Sequence, residues 1–208
     1  RLERYEGETE DLDQLTDLQT EVKKQIDEAF TNNKNVLLHG VTSSGKTHIY
    51  LEKIEETVSA GQNVLFLLPE ISLTKQIVQR LEKKYGRELG FYHQKLTDFE
   101  RVEVWRKIRN SELKVIIGTR NALFLPYQNL GLVVVDEEHD SAYRPREVSP
   151  YFNAKDAAQV LAKFYNANVI LGSATPSVES YYLAQKEKLQ YIFLGKRFGN
   201  VDLPKFEL

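Results

Sequence analysis

The sequence predicts an α/β fold in which helices cover both faces of a mostly parallel β-sheet. Two observations lead to this prediction. Short apolar runs alternate with helix-length amphipathic segments along almost the whole chain. The run at 132–135 is entirely apolar, as expected of a strand buried on both faces of a sheet. With 208 residues, the chain is long enough for one complete core.

The predicted elements run from a helix capped by Thr16 to a final strand. The helices are expected over residues 16–30, 46–60, 73–85, 98–109, 156–165 and 177–185. The strands are expected over residues 35–39, 63–68, 89–92, 114–118, 132–135, 168–171 and 191–194. One long irregular stretch, 141–153, contains two prolines. Loops of that length inside a compact domain are usually functional.

Composition indicates a globular domain in a reducing compartment. There is no cysteine, which excludes disulfides and cysteine-based zinc sites. No apolar run is long enough to span a bilayer, and no signal segment opens the chain, so we expect a cytoplasmic protein with no membrane contact. The net charge is −2, so a nucleic-acid surface would have to be local.

The ends of the chain differ from its middle. Acidic residues crowd the first seventeen positions, which indicates a solvated acidic segment over 1–14. We expect one domain over 15–197 and the start of a linker over 198–208. The chain begins at Arg1 and contains no methionine, so we expect it to be a piece of a longer protein.

Residues 40–47 match the phosphate-binding pattern G-x-x-x-x-G-K-[ST] in full. The pattern lies between a predicted strand and a predicted helix, a context that distinguishes it from a chance glycine-rich turn. Backbone N–H groups and the helix N-terminus would surround the phosphates. The expected ATP-binding residues are Gly40, Val41, Thr42, Ser43, Ser44, Gly45, Lys46 and Thr47. Lys46 is expected at the β- and γ-phosphates and the Thr47 hydroxyl at Mg²⁺.

A second motif, Asp-Glu-Glu-His at 136–139, follows the apolar strand directly. An acidic residue at the carboxyl end of such a strand faces the ligand-binding crevice. We expect Asp136 to hold Mg²⁺ and Glu137 to polarise the attacking water. A ligand-free acidic turn is the alternative, and the phosphate-binding pattern argues against it. His139 fits a nucleotide sensor or a packed, capping histidine.

A third motif, Gly-Ser-Ala-Thr-Pro at 172–176, follows another predicted strand at the same sheet edge. Its hydroxyl groups could relay the state of the γ-phosphate by hydrogen bonding to Glu137 or His139. Taken alone, the pattern is also typical of a helix cap followed by proline.

The three motifs in this order resemble superfamily 2 helicases, and the residues between them resemble the PriA family of replication-restart helicases. The resemblance extends over about residues 15–197. It rests on 69–74, 92–96 with Arg101 and Trp105, 118–124, 136–143 and 171–180. The pair Gly-Thr-Arg-Asn-Ala-Leu-Phe and Asp-Glu-Glu-His-Asp-Ser is its most specific part.

This resemblance implies the first RecA-like motor lobe of an ATP-driven 3′-to-5′ DNA helicase. Gln19 is similar to a glutamine that reads the adenine edge; a glutamine on a helix surface is the alternative. Segments 69–74 and 118–121 are similar to a DNA track in which Thr74, Thr119 and Arg120 meet phosphates. The implied partners are single-stranded and forked DNA, primosome proteins and single-stranded-DNA-binding protein.

The loop at 140–156 resembles an aromatic-rich loop that couples DNA contact to ATP turnover. Tyr143, Arg144, Tyr151 and Phe152 suit base stacking and phosphate contact, although the rings could instead pack back on the domain. The family pattern resembles Pro-Arg-Tyr-His-Ala-Arg-Asp, whereas residues 150–156 are Pro-Tyr-Phe-Asn-Ala-Lys-Asp. Because Lys155 replaces a potentially bidentate arginine, the sequence does not identify the residue that carries the coupling.

Two other functions fit the same motifs. One is the lobe of a restriction or remodelling translocase, which shares 40–47 and 136–139; cysteine pairs soon after residue 208 would favour the PriA family instead. The other is a nucleotide-gated DNA-binding switch without useful turnover. Glu137 argues against a switch, because a switch has no need to position water.

Overall fold

The computed structural model describes residues 15–69, 75–144 and 151–196. Its centre is a seven-stranded sheet with the order β3-β4-β2-β5-β6-β1-β7, and all neighbouring strands are parallel. The strands are β1 Val36–Gly40, β2 Asn63–Leu67, β3 Leu89–Tyr92, β4 Val115–Gly118, β5 Leu130–Val135, β6 Asn168–Ser173 and β7 Gln190–Leu194. The helices are α1 Asp17–Thr31, α2 Lys46–Ser59, α3 Lys75–Tyr85, α4 Asp98–Arg109, α5 Ala154–Tyr165 and α6 Val178–Gln185.

Side chains that alternate along each strand build two separate cores, one on each face of the sheet. In β5, Leu132 and Val134 contribute to the core under α1, α2 and α3. Val133 and Val135 point to the opposite core, which α4, α5 and α6 cover. This alternation follows from the two-residue period of a strand, and it confirms the predicted α/β architecture with helices on both faces.

The predicted elements are all present, with ends that shift by one or two residues. α5 begins at Ala154 rather than at 156 because the side chain of Asn153 caps it by accepting from the Lys155 N–H. β6 continues to Ser173, since His39 of β1 pairs with that residue. The predicted helix 73–85 is described from Lys75 onward. The segments 1–14 and 198–208 and the predicted DNA contact Thr74 lie outside the described residues.

Short 3-10 helices were not predicted. They cover Gly86–Glu88, Arg120–Phe124 and Ser141–Tyr143. Elements this short carry no hydrophobic period that a sequence could reveal. None of the helices within the described ranges is long and apolar enough to cross a membrane.

Parallel strands bring the three sequence motifs to one edge of the sheet. β6 lies between β1 and β5, and Gly40 ends β1 while Val135 ends β5. The carboxyl ends of these neighbouring strands therefore carry residues 40–47, 136–139 and 172–176 side by side. Open parallel sheets bind ligands in the crevice at this edge.

Candidate active site

The loop at 40–47 is folded tightly around the start of α2. Ser43 and Gly45 adopt left-handed backbone angles, with φ of 61° and 84°, and the Ser44 N–H donates to the Val41 carbonyl. Gly45 precedes the first residue of α2, so the N–H groups at the start of that helix face the loop. Lys46 Nζ donates to the Gly40 carbonyl over 2.9 Å. The loop is thus a cradle of amides with one ammonium group folded across it.

Two observations on this cradle fit a bound phosphate. The Ser44 hydroxyl is buried and has no hydrogen-bond partner among the described residues, although buried polar groups are normally paired. A Cβ on Gly40 would lie 2.7 Å from the Lys46 side chain, so only glycine lets Lys46 pass this close. The site therefore fits the phosphates predicted for it.

Gln19 lies beneath the loop and is buried. Its Oε1 accepts from the Thr16 N–H, which completes a capping box at the start of α1, and its Nε2 donates to the Ser44 carbonyl over 3.4 Å. The alternative of a surface glutamine is therefore wrong. The structure places Gln19 against the loop backbone, and its contact with adenine stays a prediction.

Asp136 follows β5 and is surrounded by hydroxyl groups. The Tyr50 hydroxyl of α2 donates to Asp136 Oδ1 over 3.0 Å, and the Tyr143 hydroxyl donates to the Asp136 carbonyl over 2.8 Å. Gly172 makes the first contact possible, because a Cβ there would lie 1.6 Å from the Tyr50 hydroxyl oxygen. The carboxylate is thus held in one orientation.

Burial and the neighbouring Glu137 carboxylate raise the pKa of Asp136 to about 6. Both causes disfavour the charged form, and the Tyr50 hydrogen bond offsets them only in part. A carboxylate in this environment gains from a nearby cation. One carboxylate and one hydroxyl, Asp136 and Thr47, match the hard oxygen ligands that Mg²⁺ takes alongside phosphates and water.

Glu137 and His139 lie on a turn with unusual backbone geometry. Glu137 has a φ of 48°, a left-handed angle that non-glycine residues rarely adopt and that is common at functional sites. The Asp140 N–H donates to the Glu137 carbonyl and so closes the turn. Glu137 Oε2 lies 3.6 Å from His139 Nδ1.

The third motif contacts this turn through His139. His139 Nδ1 and the Ser173 hydroxyl share a hydrogen bond of 2.8 Å, and His139 Nε2 lies 3.3 Å from the Thr175 hydroxyl. The predicted hydrogen bonding between motifs at 136–139 and 172–176 is therefore present, and it runs through His139. Both ring nitrogens are engaged, so the histidine connects two motifs instead of only packing.

The residues predicted to contact DNA differ in their exposure and in their partners. Tyr151 is exposed and Arg144 pairs with Glu179 over 2.9 Å at the surface. Arg120 is half-buried and donates to the Ala142 carbonyl over 3.0 Å. Phe152 packs edge-on against the exposed Phe124, with ring centroids 5.3 Å apart.

One of these predictions needs correction. Tyr143 is 1% exposed, and its hydroxyl is bonded to the Asp136 backbone, so it has no ring face for a base and instead supports the turn that begins at Asp136. Thr119 is largely buried, and its N–H donates to the Tyr92 carbonyl. Contacts of DNA with Thr119, Arg120, Arg144, Tyr151 and Phe152 stay predictions.

Sequence reasoning missed the contacts that Tyr50, Glu138 and Lys155 make in and beside the site. Tyr50 lies on α2 and meets Asp136 only because both elements fold over the same strands. Glu138 and Lys155 are 17 positions apart and form a buried ion pair of 2.9 Å. No local pattern reveals such contacts, although the charge complementarity of the two residues was visible.

Comparison with known proteins agrees with this geometry. Residues 16–183 match the family described as DEAD/DEAH box helicase. The replication restart protein PriA of Chlamydia muridarum is 44% identical over 185 residues, which are 88% of this chain and 25% of that protein. PriA of Bacillus subtilis is 40% identical over 196 residues, or 93% of this chain and 24% of that protein. The chain therefore spans about a quarter of the length of these relatives.

Solved structures show the same fold. RecG bound to a three-way DNA junction superposes with a TM-score of 0.65 at 23% identity, covering 91% of this chain and 25% of RecG. The Pyrococcus furiosus Hef helicase domain superposes with a TM-score of 0.64 at 22% identity, covering 95% of this chain and 43% of that one. The fold is thus the RecA-like lobe of helicases. The chain belongs to the DEAD/DEAH box helicase family, and within that family it resembles the replication restart protein PriA.

Proposed function

We propose that this chain is the ATP-binding motor lobe of a 3′-to-5′ DNA helicase that acts in replication restart. The observation that carries the proposal is the juxtaposition of Lys46, Thr47, Asp136 and Glu137 at the ends of β1 and β5. The similarity to PriA supports the DNA substrate, the restart role and a cytoplasmic location. By the same similarity, primosome proteins and single-stranded-DNA-binding protein are the proposed partners.

The nucleotide site works through groups already in position. Lys46 exchanges its bond to the Gly40 carbonyl for the β- and γ-phosphates of ATP, and the amides of 40–47 surround them. Thr47 and Asp136 would hold Mg²⁺, which would neutralise the negative charge of the phosphates. Gln19 borders the loop from α1, where the adenine would lie.

Glu137 would orient the attacking water, the task of a water-positioning residue in such NTPases. His139 senses the outcome, because it lies 3.6 Å from Glu137 and also contacts Ser173 and Thr175. A shift of Glu137 on hydrolysis would alter the hydrogen bonds of His139 with Ser173 and Thr175. The change would be transmitted to α6, which begins shortly after Thr175.

The DNA surface lies beside this site. Arg120 would meet a phosphate, and Tyr151 and Phe152 would stack on bases. Arg144 would exchange Glu179 for a phosphate, an exchange that costs little because a surface ion pair contributes at most about 1 kcal/mol.

The test is steady-state ATPase activity of the protein at its full natural length, with and without forked DNA. We expect DNA to stimulate turnover, and a duplex with a 3′ single-stranded tail to be unwound in preference to one with a 5′ tail. Glu137→Gln is the control, since it should retain nucleotide binding and lose turnover. Turnover that DNA does not change would support the nucleotide-gated switch instead, and a 5′-tail preference would overturn the proposed direction.

A further inference from the structure

A buried ion pair lies next to the site and has no part in the mechanism above. Lys155 and Glu138 are each 3% exposed. Lys155 Nζ donates to Glu138 Oε2 at 2.9 Å, to the Ser177 hydroxyl at 2.8 Å and to the Ser180 hydroxyl at 2.9 Å. These three bonds use all three protons of the ammonium group. The other carboxylate oxygen, Glu138 Oε1, accepts from the Ser177 N–H at 2.7 Å.

One end of this pair belongs to the catalytic turn. Glu138 follows Glu137 directly, and its N–H donates to the Gly172 carbonyl. The family name spells the motif Asp-Glu-Ala-Asp or Asp-Glu-Ala-His, so this chain carries a glutamate at the alanine position. Ser177 is the N-cap of α6. The pair therefore joins the turn to the starts of α5 and α6.

Burying two charges is costly even when they are paired, and apolar residues would often stabilise a core as well or better. A complete buried polar network does, however, specify one arrangement of the elements that it joins. Here the elements that it joins are the catalytic turn and two helices that begin beside it, which favours a role in positioning over one in bulk stability.

The other end of the pair leads to the DNA surface. Lys155 is the second residue of α5 and follows Phe152 and the cap Asn153. Phe152 contacts Phe124 at a centroid distance of 5.3 Å. Phe124 is the last residue of the 3-10 helix that begins at Arg120. The proposed DNA contacts at Arg120 and Phe152 are thus continuous with the start of α5.

A second route leads from the same 3-10 helix to the same turn. Arg120 Nη1 donates to the Ala142 carbonyl over 3.0 Å. The next residue, Tyr143, donates from its hydroxyl to the Asp136 carbonyl over 2.8 Å. The segment 120–124 is therefore connected to Asp136–Glu138 from both ends of the loop, once through Tyr143 and once through Lys155.

We propose that Lys155 is the positioning residue that couples DNA contact to ATP turnover, acting through Glu138 on the adjacent Glu137. The proposal rests on the proposed function and goes beyond it by naming the connection. DNA that moves Phe124 or Phe152 displaces the start of α5, and the three bonds of the Lys155 ammonium carry that displacement to Glu138. Lys155 is buried, so it acts through Glu138 and not by touching nucleotide or DNA.

The test uses the protein at its full natural length and the double variant Glu138→Gln/Lys155→Met. Lys155→Met alone would leave a buried carboxylate unpaired and could fail to fold, whereas the double variant removes both charges together. Lys155→Arg keeps the positive charge, and Lys163→Met changes an exposed lysine on the same helix as the matched control. Each is assayed for melting temperature, nucleotide Kd, DNA Kd without nucleotide, and ATPase kcat with and without forked DNA.

We expect the DNA-stimulated kcat of the double variant to be about tenfold lower than that of the wild type. A change of this size is typical of the coupling between two sites. Its melting temperature and both Kd values should stay close to those of the wild type. Lys155→Arg should retain most of the stimulation, and Lys163→Met all of it. If the pair had a purely structural role, the double variant would keep normal DNA stimulation, whatever its melting temperature.

Three results would overturn the inference. Normal stimulation in the double variant would show that the pair carries no coupling. A loss of kcat that parallels a weaker nucleotide Kd would show damage to the site rather than lost coupling. A wild-type protein that DNA does not stimulate would overturn the proposed function and this inference together, and that outcome is recognised from the wild type alone.

Discussion

Lys46 is the residue proposed to bind phosphate, and it contributes little to the fold. Its ammonium bonds only to the Gly40 carbonyl among the hydrogen bonds described. A hydrogen bond to a charged group contributes about 1.5–3 kcal/mol, so Lys46→Ala should weaken ATP binding roughly 10- to 150-fold. Isothermal titration calorimetry measures the loss. The far-ultraviolet circular dichroism and melting temperature should be unchanged, and a large fall in either would show that Lys46 supports the core.

Asp136 should destabilise the protein in the absence of Mg²⁺. Its pKa rises from 3.8 in the unfolded chain to about 6 in the folded one, so folding disfavours its charge. The cost is absent below pH 4, where both states are protonated, grows through the window from about pH 4 to 6, and is complete above it. The full cost is on the order of 2–3 kcal/mol.

Asp136→Asn removes this charge while keeping an oxygen for the Tyr50 hydroxyl. We therefore expect the variant to be more stable than the wild type by about 1–3 kcal/mol at pH 7.5 without Mg²⁺. The difference in the free energy of unfolding between the variant and the wild type should be smaller at pH 5. Urea denaturation at both pH values measures it, and equal stability at pH 7.5 would contradict the raised pKa.

At the scale of elements, two helices begin with the same device in different places. Thr16 and Gln19 form a capping box on α1, and Thr97 and Glu100 form one on α4. Of these two capping boxes, only the one on α1 contacts the loop at 40–47, because Gln19 Nε2 also donates to the Ser44 carbonyl. The two boxes are therefore a matched pair, one at the site and one away from it.

Thr16→Ala and Thr97→Ala should each cost about 1 kcal/mol of the free energy of unfolding, the usual value of an N-cap. Thr16→Ala should in addition weaken nucleotide binding severalfold, since the start of α1 holds Gln19 against the loop. Urea denaturation and nucleotide titration of both variants measure these effects. Equal nucleotide affinity in the two variants would mean that α1 does not support the loop.

Elements whose ends carry clear local signals were predictable, and contacts between elements were not. α4 is predicted over 98–109 and observed as Asp98–Arg109, because a capping box and a polar end mark both boundaries. The 3-10 helix Arg120–Phe124 carries no such marks. Its position beside Ala142 depends on where the chain returns after β5, which no local pattern encodes.

At the scale of the whole molecule, we propose that this lobe forms one wall of a nucleotide site. In related NTPases an arginine that approaches the γ-phosphate accelerates turnover about 10³–10⁵-fold. Arg120 contacts the Ala142 carbonyl and Arg144 pairs with Glu179, and both are assigned to the proposed DNA contacts. We therefore expect a polypeptide of residues 1–208 to bind nucleotide with Mg²⁺ but to hydrolyse it near background, with no effect of single-stranded DNA.

Fluorescent-nucleotide binding and a phosphate-release assay on the purified 1–208 polypeptide test this expectation. Hydrolysis stimulated by DNA to the rate of the full-length protein would contradict it. That result would mean either that an arginine in this chain acts on the γ-phosphate or that two copies complete each other's site.

The sequence by itself determined the fold class and the positions of the loop at 40–47 and of Asp136 at one edge of the sheet. These follow from local order: a strand, a glycine-rich turn and a helix must follow one another, and the end of a buried strand must face the crevice. The same reasoning placed Ser173 and Thr175 within reach of His139, because their strands end at the same edge.

Only the tertiary structure decided which side chains surround those motifs. Tyr143 looked suited to stacking on DNA, yet it is enclosed beneath Asp136, and Lys155 looked like a weakened arginine, yet it forms a buried pair with Glu138. The physical reason is that burial and pairing depend on how helices on one face meet turns at the end of the sheet. Burial and pairing therefore arise from the packing of the whole domain and not from the spacing of residues along the chain.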